Sequence, residues 1–137
     1  MEKQKENLTD SAAMELSPVL VAGVGSAVKT LHLTLKKKWF DMILSGEKKE
    51  EYREIKHYWE RRLLHVDLDK ERPFVFCDNE ILYDVIEFRN GYGKNAPTMI
   101  VSYQGVDIGN TKEGWADEYK TTVFVLKLGK ILETKNV

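Results

Sequence analysis

The chain has 137 residues, 42% apolar and 31% charged, which is one domain's length and the balance of a globular protein able to bury its own core. A net charge of −1 excludes a chain coated uniformly in positive charge for nucleic acid, and a single cysteine, Cys77, excludes an internal disulfide. Together with His32, His57 and His65 that cysteine has no zinc-ligand spacing, so neither a metal nor another cofactor is expected. In chain order, residues 1–15 carry more acids than bases, and residues 16–28 are uncharged but broken by Pro18, Gly23 and Gly25. That stretch is too short and too interrupted for a bilayer, which asks for about 20 apolar residues, and it lacks the positive lead of a secretory signal. No membrane partner is expected, and the lone thiol suits the reducing cytoplasm. Residues 1–30 read as a flexible or loosely docked extension, the alternative being an extra edge strand, residues 31–132 as one domain and 133–137 as a tail.

From residue 31 the texture changes. Leu31, Leu33 and Leu35 alternate with His32, Thr34 and Lys36, the period of a half-buried strand. Trp39, Phe40, Ile43 and Leu44 then form a helical stripe over 37–45, closed by Gly46, the residue favoured just past a helix end. Residues 48–64 support two readings. Tyr52, Ile55, Trp59 and Leu63 fall at the spacing of a long amphipathic helix, whereas Glu51 and Arg53 would share one face of a strand. Downstream, the run ending at Asn90-Gly91 and the stretches 99–106 and 123–132 read as short strands. The absence of any internal repeat excludes a solenoid or propeller. The fold class is α+β, mainly β.

Residues 36–62 sum to +3 and the rest of the chain to −4, which predicts a modest basic face. Within it, Lys36, Lys37 and Lys48 offer compact cations for phosphate, and Arg53 a planar fork for phosphate or a base edge. Glu51 can accept from an amino group such as cytosine N4. Trp39, Tyr52, Tyr58 and Trp59 are interleaved with these charges, as in readers of single-stranded RNA. Plainer readings stand beside these: a surface ion pair for Glu51 and Arg53, a solvated helix start for Lys36 to Lys38, core packing for Trp39 and Trp59, and a buried small hydrophobe for Cys77. Arg89 and Tyr92, beside Gly91 and Gly93, belong to a turn that either closes over the groove or is simply a turn.

The run Gly46-x-Lys48-x-x-Glu51-x-Arg53, preceded by a strand and a helix carrying Trp39, resembles the signature of the ASCH domain family, relatives of the PUA fold. The closing segment 123–131 resembles that family's last strand. The resemblance implies a small PUA-like β-barrel with flanking short helices over residues 31–132, and it reassigns 48–55 from helix to strand. It also implies a module that binds single-stranded RNA or a nucleotide, with Lys36, Lys37, Trp39, Lys48, Glu51, Arg53, Arg89 and Tyr92 as candidate ligand contacts. Some relatives hydrolyse a modified cytidine with a threonine where Glu51 stands here. The alternative function is therefore a small hydrolase of a modified nucleoside or RNA, with Glu51 as general base and Lys48 as charge stabiliser. On the binding reading, two or three phosphate contacts give a log–log salt slope of about −1.4 to −2.1, and Lys48→Ala and Arg53→Ala weaken binding with little change in melting temperature.

Overall fold

The computed structural model describes residues 27–65 and 80–137; most of the N-terminal extension, and Cys77, lie outside them. Strand β1, Thr30–Leu35, buries Leu31, Leu33 and Leu35 while the residues between them face outward, as the alternation predicts. Helix α1, Lys37–Leu44, buries Trp39, Phe40 and Ile43. It stops where Gly46 takes φ +89°, a left-handed conformation that glycine reaches without a Cβ clash. The Gly46 amide donates to the Ile43 carbonyl at 3.0 Å and the Lys48 amide to Met42 at 3.0 Å, which reverses the chain into strand β2, Glu50–Arg53.

A continuous helix over 48–64 is not what forms. Glu50 to Arg53 pair antiparallel with Lys127 to Phe124, and only His57–Leu63 becomes helix α2. The helical spacing is real for Trp59 and Leu63, but the ladder with a distant strand satisfies the backbone of β2, so pairing outweighs local propensity there. Three longer strands complete the sheet: β3, Val85–Asn90, β4, Thr98–Gly109, and β5, Val123–Lys135. Strand β5 continues past residue 132, with Lys135 opposite Thr98.

The strands form one mixed sheet in the order β1-β3-β4-β5-β2, with β1 parallel to β3 and the other pairs antiparallel. Register shifts between Ile100 and Val106 bend the long β4–β5 ribbon, and Gly105 at φ +104° sits in that irregular stretch. The sheet curls into a half-barrel with the two helices against it. Its core holds Phe40, Leu63, Ile86, Phe88, Met99, Val101, Phe124 and Leu126, all essentially free of solvent. Strands β1 and β2 are the two edges of the sheet. Arg53 Nη2 on one edge donates to the Thr34 carbonyl on the other at 3.4 Å, so a side chain spans the seam that backbone pairing leaves open. No helix among the described residues is long and apolar enough to cross a membrane.

Candidate functional site at the sheet seam

The sharp turn after α1 sends Lys48 inward. Its side chain is 1% exposed, and Nζ donates to Glu51 Oε1 at 2.7 Å and to the Glu50 carbonyl at 2.7 Å. The rings of Tyr52 and Trp39 lie 4.8 and 5.3 Å from it. Burial pushes the Lys48 ammonium below its ordinary value, and the neighbouring Glu51 carboxylate opposes that shift without cancelling it. Two residues on, Arg53 Nη1 pairs with Glu51 Oε2 and donates to the Tyr52 carbonyl at 2.7 Å, while the guanidinium lies 5.1 Å from the Trp59 ring. Glu51 is thus buried with a cation on each carboxylate oxygen, and Arg53 reaches Glu51 and the Tyr52 and Thr34 carbonyls through its two terminal nitrogens.

Glu50 and Tyr52 share the other face of β2. The Tyr52 hydroxyl donates to Glu50 Oε1 at 2.8 Å and accepts the Lys112 amide at 3.0 Å. Burial holds the Tyr52 phenol above its ordinary value, with the Lys112 amide opposing. That contact fastens the 110–122 loop, which joins β4 to β5, against β2. The loop is also closed on itself. The Thr111 amide donates to the Lys120 carbonyl at 2.9 Å, and the Lys120 amide donates back to Thr111 Oγ1 at 2.8 Å, with Thr111 buried.

Between the seam and this loop lies a cavity of about 400 Å³, in the size range of small-molecule sites. Thr34 and Leu35 line it from β1, Lys36 from the link to α1, Trp39 from α1, Glu51 to Arg53 from β2, and Glu54 from just past that strand. Thr111, Trp115, Asp117, Glu118 and Lys120 line it from the loop. Of the residues singled out in sequence, Lys36, Trp39, Glu51 and Arg53 meet here. Lys48 stands behind Glu51 and does not line the cavity. Its burial predicts, against the sequence-based expectation of unchanged melting, that Lys48→Ala lowers the melting temperature, because Glu51 would lose one of its two cations. Lys37 turns to Asp41 at 2.5 Å on the exposed side of α1. Arg89 donates to the Gly93 carbonyl, and Tyr92 is 88% exposed on the turn between β3 and β4; neither lines the cavity.

The sequence reading missed Glu54 and the whole loop contribution. Two aromatics, Trp115 and Tyr119, in a mostly polar connection were the signal available. The positive excess of residues 36–62 does not gather at the cavity either, whose lining carries three cations, Lys36, Arg53 and Lys120, against four carboxylates, Glu51, Glu54, Asp117 and Glu118. Among the described residues no group of three or more His, Cys, Asp and Glu side chains is placed to hold a metal ion. No family model, curated protein or solved structure matches the chain.

Proposed function

We propose that this protein is an ASCH-type, PUA-like binding module whose seam cavity takes a nucleobase, presented by single-stranded RNA or by a free nucleotide. The observation that carries the reading is the convergence of motif residues Glu51 and Arg53 with Trp39 and Trp115 around one open cavity of about 400 Å³. A planar ring fits against indole, and the polar side chains around it supply hydrogen-bond partners for its edge. Lys48 supports the site from behind as a positioning residue for Glu51.

Hydrolysis ranks second. A general base must reach the proton it removes, and both Glu51 oxygens already accept hydrogen bonds from Lys48 and Arg53. Fluorescence anisotropy with short single-stranded RNA oligonucleotides tests the binding reading. Saturable binding at low salt is the expected result; no binding to any oligonucleotide or free nucleotide refutes it. Turnover of acylated cytidine by the wild type, lost in Glu51→Gln, would establish the hydrolase instead.

A further inference from the structure

We infer that the cavity admits an uncharged base and leaves phosphate outside, with Trp115 of the 110–122 loop as the wall on which the base stacks. This rests on the nucleobase reading above and narrows its ligand to the nucleoside moiety.

The charge arrangement argues against phosphate. Each cation in the lining is already matched to a carboxylate. Arg53 pairs with Glu51, Lys36 lies 3.6 Å from Asp117, and Lys120 lies 3.7 Å from Glu54. Arg53 further spends its nitrogens on the Thr34 and Tyr52 carbonyls. Glu118 has no ion-pair partner among the described residues, so the lining carries one carboxylate in excess. A phosphate entering here would meet cations that already face carboxylates, Arg53 in a buried pair and Lys36 and Lys120 in exposed ones, and one carboxylate in excess, whereas a neutral base brings no charge and can donate its amino hydrogens to the rim carboxylates.

The aromatic arrangement selects Trp115 over Trp39. Trp39 is 8% exposed, belongs to the core, and has the ammonium groups of Lys38 and Lys48 within 4.5 and 5.3 Å of its ring centre. Trp115 is only partly buried, lines the same cavity, and has one ammonium, that of Lys112, at 4.3 Å from its ring centre. The loop that carries it is anchored at both ends by Thr111 and Lys120 and tied to β2 through Tyr52, so the indole is presented on a fixed frame. A stacking wall that is held in place before the ligand arrives loses little freedom on binding.

The experiment titrates the full chain with cytidine and adenosine, with their 5′-monophosphates and with inorganic phosphate, following tryptophan fluorescence and calorimetric heat at about 50 and about 200 mM salt. Expected results are nucleosides binding at least as tightly as monophosphates, no competition by inorganic phosphate, and a log–log salt slope shallower than about −0.7. Trp115→Ala should weaken nucleoside binding about tenfold, and Trp115→Phe should restore most of it. Monophosphates binding about tenfold tighter than nucleosides, or Trp115→Ala binding as well as the wild type, would overturn this inference while leaving the nucleobase reading intact. If no nucleoside, nucleotide or RNA oligonucleotide binds, both fall together.

Discussion

Lys48→Met is the substitution that separates a buried support from a ligand contact. Methionine fills nearly the same volume, so the change removes the charge and its hydrogen bonds while keeping most of the packing against Trp39 and Tyr52. What it leaves is a buried Glu51 with Oε1 no longer matched, since the Arg53 pair serves Oε2. Removing one partner of a buried ion pair costs about 3–5 kcal/mol, and the remaining Arg53 contact places this case near the lower end. At about 3–5 °C per kcal/mol for a domain of this size, the melting temperature should fall by roughly 10–15 °C. Calorimetric melting of wild type, Lys48→Met, Glu51→Gln and the double variant gives the cycle. Glu51→Gln should cost less in the Lys48→Met background than in the wild type, the difference being the coupling between Lys48 and Glu51. The exposed Lys37–Asp41 pair serves as the comparison, where Lys37→Met should cost under about 0.5 kcal/mol. A Lys48→Met protein melting within about 3 °C of wild type would refute the reasoning.

Tyr103 is buried with a hydroxyl that has no hydrogen-bond partner among the described residues, so Tyr103→Phe should stabilise the fold by about 1 kcal/mol in urea unfolding. Burial also raises the folded-state pKa of Tyr103 above its ordinary 10.0, so its contribution is complete below that pH and is lost as pH rises above it; the advantage of Tyr103→Phe over wild type should therefore grow above pH 10. Gly46→Ala meets no atom within 4 Å, yet its φ of +89° is strained for any residue with a Cβ, so a loss of about 1–2 kcal/mol with no change in ligand affinity is expected. Tyr52→Phe removes the acceptor of the Lys112 amide, and hydrogen exchange at that amide should accelerate at a global cost of about 1 kcal/mol.

How far the sequence reveals this molecule depends on how local each signal is. The alternation of Leu31, Leu33 and Leu35 and the stripe of Trp39, Phe40 and Ile43 are set within a few residues, and both elements form where that pattern places them. Residues 48–64 mislead because Tyr52 and Ile55 sit at helical spacing while the partner that makes β2 a strand lies more than seventy residues downstream. The pairing of Glu51 with Arg53 was readable from their spacing, but the burial of Lys48 behind them was not, since it depends on the turn at Gly46 and on two aromatic rings from separate elements. The far wall of the cavity was the least legible part. Its position rests on Tyr52 meeting Lys112 across sixty residues and on Thr111 closing the loop upon Lys120, contacts with no periodicity to announce them.

The bridge from Arg53 to the Thr34 carbonyl bears on self-association as well as on ligands. An unclosed sheet ends in two strands whose outward amides and carbonyls can template a neighbouring chain. Here the end of β1 and all of β2 are the outermost strands, and one guanidinium, backed by the folded-over connection between β4 and β5, occupies the gap between them. The cleft therefore stands guard over the sheet's exposed margins. Changes there are constrained twice over, because a variant that opens the cleft to admit a larger guest also uncovers the backbone that an identical molecule could bind.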